Sequence, residues 1–555
     1  SVLLSVAASG AAIYAGVTAR EALNLANKVR EWVLKADSSL HKAERLQEES
    51  RADRVKMEVK LHQGPGVEEG ERKAAEEFSK EAFARAEEAA KAYQQASVEL
   101  ETALSLDPSR TDLRERMADI LDGLARLANE TGRTGDRDAF LARLALYAPE
   151  RRERWAEPVT VQIHTRPAGG RVTIERNAHE ADGCSMPDRK HEIQSARRAT
   201  PFEDSLPPGS YIFVVREDER HEAVRYPFFV HCGQEPGSFI PVVIERPAKH
   251  TVPPDFVFIP EGKFLFGHGA GAAQEMIRDW YGTTPLHQRE TGSYLIARNE
   301  TTNEQYMEFL DACYRGRCRG SQPRLPAVPA DMSGGIAMEL RPLHGRGWEL
   351  IVEQNGKRQR LEQGQSIVYP DRERQRREQP WEQLPVVGIS ADDARQYLQW
   401  LRDTDRLPRA RLCREDEWER AARGADDRLY PHGNTLEPDQ ANYDETYGRR
   451  PLAFGPDAVG SYEASVSPFG LYDMAGNVWE IVESIVDRER NTEQPSDDHG
   501  RAVDDGPAVV LRGGSYYQHS SDSATVNNSP TSRNHRDGKV GFRVCADVVP
   551  GQVED

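Results

Sequence analysis

The stretch that decides the fold of the C-terminal half reads Ser467-Pro-Phe-Gly470-Leu-Tyr-Asp473-Met-Ala-Gly476-Asn-Val-Trp-Glu480. Two shorter blocks follow it, Val510-Leu-Arg-Gly-Gly-Ser515 and Gly541-Phe-Arg543-Val544. Three more precede it: Asn299-Glu-Thr-Thr-Asn303, Pro385-Val-Val-Gly388 and Glu417-Trp-Glu419-Arg-Ala-Ala-Arg-Gly424. Because these are several independent motifs at sensible spacing, this half carries nearly all the information in the sequence.

The local patterns around these blocks predict both strands and helices. Residues 256–260 and 262–267 are typical of a strand, a turn and a second strand. Ser390-Ala-Asp-Asp393 is a capping box, and the apolar residues after it recur on one helical face, at Ala394, Tyr397, Leu398 and Leu401. A second short helix is predicted from Arg414 to Arg423, ending at Gly424.

The six blocks stand in the order found in the formylglycine-generating-enzyme, or sulfatase-modifying-factor, family, which residues 256–548 therefore resemble. The resemblance covers about half the chain. It implies a C-type-lectin-like fold with little regular structure, in which long loops are held by buried Trp residues and Gly turns.

In that family, two cysteines shortly after the Arg-Gly-Gly-Ser block bind copper and activate oxygen. The matching positions here hold Gln518 and Ser523. Soft thiolates suit Cu(I) whereas hydroxyl groups do not, so no copper is expected and the domain is predicted to be a binding module rather than an enzyme. Cys545 lies after the last block and cannot be assumed to substitute. The alternative is an oxidase with a changed metal site.

The resemblance also implies a bound Ca²⁺, which prefers carboxylate and carbonyl oxygens. The matching positions are Asp473, Gly476, Val478 and Glu480. The alternative is that the two acidic side chains tie loop backbone together without a metal. A second calcium site of the family is doubtful here, because Asn442 matches but the loop to Val459 is shorter and no acidic partner aligns cleanly.

Residues 516–540 form a polar segment between two rigid blocks. Tyr, Ser, Thr, His and Asn supply contact area and adaptable hydrogen bonds at low entropic cost, so we expect a ligand-binding surface here. A solvated polar loop without a ligand is the alternative. The candidate ligand-binding residues are Tyr516, Tyr517, Gln518, His519, Ser521, Thr525, Asn527, Asn528, Ser532, Asn534 and His535.

Composition bounds the rest of the chain. A length of 555 residues indicates several domains, and a net charge of −18 argues against nucleic acid as a partner. Six cysteines are too few for a disulfide scaffold. The predicted fold class is multidomain α+β: an N-terminal helical region, a small β-sandwich and the C-type-lectin-like domain.

The N-terminal region reads as helical. Residues 1–19 are an uncharged apolar run from Val2, which predicts a truncated transmembrane segment and so a membrane tether, with a signal peptide or a buried helix as alternatives. Residues 20–156 are rich in helix formers, and Ala92 to Pro108 resembles the second helix of a tetratricopeptide unit. A helical spacer is the simpler interpretation.

Alternating apolar residues predict a small antiparallel β-domain over residues 157–247, followed by a linker at 248–255. Its turns, such as Pro207-Pro-Gly-Ser-Tyr211, resemble the PEGA domain, a β-sandwich without known chemistry. Cys184 and Cys232 are candidates for a bridge in an exported chain, and two buried free thiols are the alternative.

Two more specific interpretations concern function. The domain order resembles the extracytoplasmic half of bacterial membrane Ser/Thr kinases, in which the kinase domain would precede this chain. The composition of residues 516–540 resembles the variable region of diversity-generating-retroelement proteins. We therefore expect a membrane-tethered or exported protein whose extracytoplasmic head binds an unknown protein or small molecule, with a cytoplasmic location left open.

Overall fold

A computed structural model describes residues 2–61, 67–176, 198–234, 237–268, 283–318, 322–328, 336–343, 347–373, 376–484, 486–487 and 509–548. Only the backbone is described for residues 2–18, 61, 67–73 and 486–487. The predicted α+β architecture is confirmed: helices come first, and two regions rich in strands follow.

Five helices make up the N-terminal region, as the composition predicts. Their bounds are α1 Val2–Leu61, α2 Glu69–Leu106, α3 Thr111–Glu130, α4 Thr134–Tyr147 and α5 Pro149–Arg154. Helices α1 and α2 pack along each other through small buried side chains, including Ala43, Ala86 and Ala96. At 60 and 38 residues, both are longer than the helices that fit in a 34-residue tetratricopeptide unit.

The first helix contains the predicted membrane tether. Its backbone is helical from Val2 onward. In the described part of the chain, no helix combines the length and apolar character needed to cross a bilayer. Because the side chains of residues 2–18 lie outside the described ones, the tether at residues 2–19 stays a prediction.

Strands fill most of the described part of residues 157–247, the segment for which a β-sandwich was predicted and which we call the sandwich. Its strands are β2 Val159–Arg166, β3 Arg171–Arg176, β4 Arg198–Ala199, β5 Phe202–Leu206, β6 Gly209–Val215, β7 Val224–Val230 and β8 Phe239–Glu245. They make two sheets, in the orders β5-β2-β8 and β4-β3-β6-β7. The prediction of a purely antiparallel domain was wrong, because β2 and β8 pair in parallel. Alternation reports which face of a strand is buried and says nothing about its direction.

Cys232, just after β7, is disulfide-bonded. Cys184, the partner that the sequence suggested, lies outside the described residues. Free thiols are therefore excluded for Cys232.

The C-terminal domain consists of short strands and long loops. Two four-stranded sheets form its centre, in the orders β19-β25-β12-β9 and β23-β22-β20-β24. A peripheral sheet has the order β13-β14-β15-β16, and β10-β11 and β17-β18 are pairs. In a further pair, strand β1 Val67–Glu68 of the N-terminal region lies parallel to β21 of the C-terminal domain. The described strands of the domain are β9 Phe256–Ile259, β10 Gly262–Phe266, β11 His287–Thr291, β12 Tyr294–Ala297, β13 Ala327–Val328, β14 Ile336–Leu343, β15 Gly347–Gln354, β16 Lys357–Glu362, β17 Ser366–Val368, β18 Glu378–Pro380, β19 Ala410–Leu412, β20 Trp479–Glu483, β21 Val486–Asp487, β22 Val509–Arg512, β23 Ser529–Thr531, β24 Val540–Gly541 and β25 Val544–Asp547.

In the described part of the domain, three α-helices pack on these sheets: α6 Asn303–Tyr314, α7 Ala391–Asp403 and α8 Glu415–Arg423. The predicted capping box at Ser390 and Asp393 is present, and the predicted apolar face of α7 is buried. The Trp418 ring on α8 is fully buried, as predicted. The charged residues of α8 are buried too, because Glu419 pairs with Arg423 and Arg512.

The β-sandwich and the C-terminal domain share one hydrophobic core. A single cluster of buried side chains runs from Val159 in β2 to Ala546 in β25. Polar contacts cross the same boundary: Ser210 donates to Asp426, and Arg225 Nε donates to Pro468 O at 2.8 Å. The described residues between 157 and 548 therefore form one continuous structure.

Candidate functional site

The Arg-Gly-Gly-Ser block forms the rigid base of the predicted binding segment. Arg512 at the end of β22 is buried, and its Nη2 donates to Thr525 O at 2.8 Å. Gly513 and Gly514 have φ of +92° and +74°, and a Cβ at Gly514 would lie 2.5 Å from Ser523 Oγ. Only glycine fits this approach, so the block fixes where the following loop starts and returns.

The two positions that would carry copper-binding thiols are occupied by other groups. Ser523 is fully buried against Gly514, and its Oγ has no hydrogen-bond partner among the described residues. Gln518 is half-buried and accepts a hydrogen bond from Ser515 through Oε1. A hydroxyl and a carboxamide are poor ligands for Cu(I), so the residues present do not fit the copper site of the family.

Cys545 does not supply a replacement thiol. It forms a disulfide with Cys413, which joins β25 to the end of β19, and both residues are fully buried. A second disulfide joins Cys313 to Cys318. Because the sulfur atoms are bonded to each other, neither cysteine offers the thiolate that a metal ligand requires.

Three of the predicted ligand-binding residues lie in the interior, and for them the surface prediction was wrong. The Tyr516 hydroxyl donates to Gly538 O at 3.1 Å. Thr525 donates through Oγ1 to Leu429 O, and Asn527 donates through Nδ2 to Asp522 O at 2.8 Å. Buried polar groups need such partners, so these residues hold the loop rather than a ligand.

The exposed part of the segment begins at Tyr517, whose side chain is 40% exposed. Its ring lies 5.0 Å from the Phe454 ring, and Lys539 Nζ lies 5.3 Å from its centroid. His519 is exposed and caps the 3-10 helix Ser520–Ser523, because its Nδ1 accepts from Ser521 N at 3.2 Å. Tyr517, Gln518, His519 and Ser521 thus form one surface on a short, ordered loop.

The remaining candidates lie farther along the chain, beside other neighbours. Asn528 donates to Glu415 on α8. The start of α7 is bordered by the stretch that contains Ser532, Asn534 and His535. There, Ala391 N donates to Arg533 O at 3.0 Å. Neighbours in sequence are therefore distributed among three surroundings in the fold: the Tyr517 loop, the start of α8 and the N-terminus of α7.

Glu480, a predicted calcium ligand, has both carboxylate oxygens in hydrogen bonds. Arg543 contacts it through Nε and Nη2, both at 2.6 Å, and Trp418 Nε1 donates to it at 2.7 Å. All three side chains are buried, which explains why the Gly-Phe-Arg block accompanies the other motifs. This contact is the metal-free role that the sequence left open for Glu480.

The other acidic side chain, Asp473, is less well compensated. It is buried at φ +58° and accepts from Gly460 N at 2.6 Å. Burial raises the pKa of Asp473 to about 6. Glu300 is also buried, and burial together with Asp473 and Glu480 raises its pKa well above the ordinary value. Glu300 was not among the predicted calcium ligands, although it lies within the Asn299 to Asn303 block.

The two backbone positions predicted to bind calcium flank this acidic group. Gly476 has φ +77° and packs against Asn442, and Val478 N donates to Glu300 at 3.2 Å. In the part of the chain that is described, no three His, Cys, Asp or Glu side chains converge as a ready metal site. Calcium therefore stays a prediction.

At the second calcium site, which the sequence left doubtful, a buried arginine neutralises the acidic side chain. Arg372 is paired with Asp457, and its Nε and Nη2 donate to Ala453 O at 2.7 Å and Gly455 O at 2.6 Å. The guanidinium carbon lies 3.5 Å from the Tyr369 ring centroid. Asp457 is a buried carboxylate beside this loop, and a guanidinium already balances its charge.

The family model for the sulfatase-modifying factor enzyme 1-like domain matches residues 243–548. The chain is 25% identical over 300 residues to serine/threonine-protein kinase pkn1 of Chlamydia caviae, covering 53% of this chain and 38% of the kinase. It thus spans about two fifths of that kinase's length.

Relatives with and without named activity both occur. Formylglycine-generating enzyme of Streptomyces coelicolor is 28% identical over 324 residues, covering 54% of this chain and 92% of the enzyme. Inactive C-alpha-formylglycine-generating enzyme 2 of Mus musculus is 26% identical over 324 residues, covering 55% and 90%. Among solved structures, Treponema denticola variable protein 1 gives a TM-score of 0.33 at 18% identity, covering 53% of this chain and 95% of that protein.

Proposed function

Because the chain belongs to the sulfatase-modifying factor enzyme 1-like domain family through residues 243–548, we propose that this domain recognises a ligand and does not oxidise cysteine. The proposal rests on the residues at the two copper-binding positions and on the disulfide that Cys545 forms. Gln518 and Ser523 occupy the thiol positions, and Cys545 is bound to Cys413 in the core. The family's copper chemistry has no ligands here.

The catalytic alternative is tested directly. The full chain is incubated with copper, oxygen, a reductant and a Cys-x-Pro-x-Arg peptide, and formylglycine is measured by mass spectrometry. We expect none, while the Streptomyces enzyme converts the same peptide as a positive control. Turnover by this chain would overturn the proposal in favour of an oxidase with a changed metal site.

The recognition surface that we propose is the exposed Tyr517 loop, with Gln518, His519 and Ser521 around it. A tyrosine held against Phe454 supplies contact area at low entropic cost, and the neighbouring polar groups supply hydrogen bonds. Ser532, Asn534 and His535 would form a secondary patch at the start of α7. The ligand is a protein or a small molecule.

A binding screen tests this surface. Labelled full chain is applied to glycan and peptide arrays, and each hit is measured again with Tyr517→Ala and His519→Ala. Tyr314→Ala is the matched control, because Tyr314 is 46% exposed and lies on a different helix, α6. We expect at least tenfold weaker binding by the loop variants alone. Equal binding by all variants would place the site elsewhere.

Calcium is proposed as a structural ligand of this domain. Asp473 and Glu300 are the acidic side chains left for it, since Glu480 is paired with Arg543. Calcium would supply positive charge between buried carboxylates and hold the Gly476 turn.

We also propose that the chain is the extracytoplasmic part of a membrane-tethered receptor. Similarity to the chlamydial kinases supports a signalling partner, and disulfides are typical of oxidising compartments. Protease accessibility of the chain in intact and permeabilised cells tests its location. Digestion only after the inner membrane is opened would contradict it.

Diversification of the segment by a retroelement is a further proposal, supported by its richness in Tyr, Ser, Asn and His. The sequence of the coding DNA tests whether the segment is diversified. A nearby reverse transcriptase with a near-copy of the codons for residues 516–540 is the expected finding, and a genome without such a copy would contradict it.

A further inference from the structure

A cleft of about 460 Å³ lies where the β-sandwich meets the C-terminal domain. The sandwich contributes Ile212 and Arg225, and the C-terminal domain contributes Arg298, Arg428, Ser467 and Tyr472. Its volume is in the range of small-molecule sites, which often lie between domains. The cleft is separate from the Tyr517 loop, because it has no lining residue from 516–540.

The three arginines differ in how their charges are balanced. Arg428 is buried and makes a bidentate contact with Asp426 at 2.6 and 2.5 Å. Arg225 has Glu175 at 3.8 Å, which is outside hydrogen-bond distance. In the described part of the chain, Arg298 has no carboxylate within 4.0 Å. Arg298 therefore lines the cleft without a close carboxylate, and Arg225 has only a long ion pair with Glu175.

One turn positions both of these arginines. Ser467-Pro-Phe-Gly470 is closed by a 2.8 Å bond from Gly470 N to Ser467 O. Its carbonyl oxygens accept from the two side chains, Pro468 O from Arg225 Nε and Gly470 O from Arg298 Nη1, each at 2.8 Å. A guanidinium has five N–H groups, so most of them stay available.

Glycine at position 470 keeps the space between the arginines open. It has φ +94°, and a Cβ there would lie 3.5 Å from Arg298 Nη1 and 4.0 Å from Arg225 Cδ. A larger side chain would enter the gap between the two guanidinium groups. The turn thus places both arginines at the wall of the cleft.

We propose that this cleft binds a small oxyanion ligand, carrying a phosphate or a carboxylate, between Arg225 and Arg298. Guanidinium forks match both groups, and charge-assisted hydrogen bonds are stronger than neutral ones. In a chain with a net charge of −18, a cleft lined by one arginine with a long ion pair and another without a close carboxylate is a local exception. Because one arginine comes from each domain, the ligand would also connect the two.

Calorimetric titration of the full chain tests the site with inorganic phosphate and with succinate, at constant ionic strength set by sodium chloride. We expect saturable binding of at least one anion, and a Kd at least tenfold higher in Arg225→Gln and Arg298→Gln. Arg171→Gln is the control, since Arg171 is an exposed arginine on strand β3 of the same sandwich. Its Kd should stay within twofold of the unmodified chain. Binding of phosphate alone or succinate alone identifies the oxyanion.

Arg225→Lys and Arg298→Lys serve if a glutamine variant does not fold. They keep the positive charge and lose the planar fork, so we expect at least threefold weaker binding. No saturable binding of either anion would overturn the proposal. Equal affinities of the unmodified chain and the arginine variants would also overturn it, because the anion would then bind elsewhere.

Discussion

At the scale of single residues, buried charges hold the loops of the C-terminal domain. Glu480 joins Trp418 on α8 to Arg543 beside β25, and Arg372 joins Asp457 to the carbonyl oxygens of residues 453 and 455. Removing one partner of such a pair leaves an uncompensated charge in the core and costs about 3–5 kcal/mol. These charges therefore act as fixed connections between loops that have little regular structure.

A test of calcium binding requires a variant that leaves these buried ion pairs intact. We expect the melting temperature to be higher in millimolar Ca²⁺ than in chelator, because ligand at one hundred times Kd stabilises by about 2.7 kcal/mol. Asp473→Asn should abolish the difference, whereas the exposed control Asp255→Asn should retain it. Glu480→Ala is a poorer test, since it also breaks the pair with Arg543. Coincident melting curves in calcium and chelator would contradict the hypothesis.

At the scale of elements, some side chains of residues 516–540 are buried and hold the segment in place, and others are exposed. Tyr516, Thr525 and Asn527 are buried and hydrogen-bonded to neighbouring loops. Tyr517 and His519 lie on the outside of the same segment. A substitution here thus acts on stability or on binding according to which side of the segment it changes.

Urea unfolding separates these two classes. Asn527→Ala removes the amide that donates to Asp522 O and should cost about 1–3 kcal/mol. Tyr517→Ala should cost less than about 1 kcal/mol, because the side chain is 40% exposed. A larger loss for Tyr517→Ala than for Asn527→Ala would show that the loop depends on its outer face.

The two described disulfides differ in the length of chain that they close. Cys413 and Cys545 are 132 residues apart, and Cys313 and Cys318 are 5 apart. Loop-closure entropy assigns about 5 kcal/mol to the long bridge and about 2 kcal/mol to the short one. The double variant Cys413→Ala with Cys545→Ala should therefore melt well below the double variant Cys313→Ala with Cys318→Ala. Equal melting temperatures in calorimetry would contradict this account.

Much of this architecture follows from local signals in the sequence. The capping box at Ser390 and the buried face of α7 were predictable because both depend on residues a few positions apart. Strand pairing was not: β9 and β10 are adjacent in the chain, yet β9 pairs with β12 and β10 with β11. Burial of Tyr516 and the pairing of Glu480 with Arg543 depend on distant segments, so composition could not reveal them.

At the scale of the whole molecule, the two largest hydrophobic clusters of the described residues lie in different parts of the chain. One hydrophobic cluster belongs mainly to helices α1 to α4, and another runs through the β-sandwich and the C-terminal domain. Ser210 and Arg225 of the sandwich also form hydrogen bonds with the C-terminal domain. A ligand in the arginine cleft would thus bind across a shared core rather than across a flexible linker.

This division predicts two cooperative transitions in calorimetry of the full chain, one for the helical region and one for the sandwich together with the C-terminal domain. Leu121→Ala creates a cavity in the helical core and should reduce the free energy of unfolding of the helical region by about 2–5 kcal/mol. Only the first transition should therefore move to a lower temperature. Val161→Ala, in β2, should lower the temperature of the second transition, with the sandwich and the C-terminal domain still unfolding together. If Val161→Ala instead split off a third transition, the sandwich would unfold independently and the shared core would not couple it to the C-terminal domain.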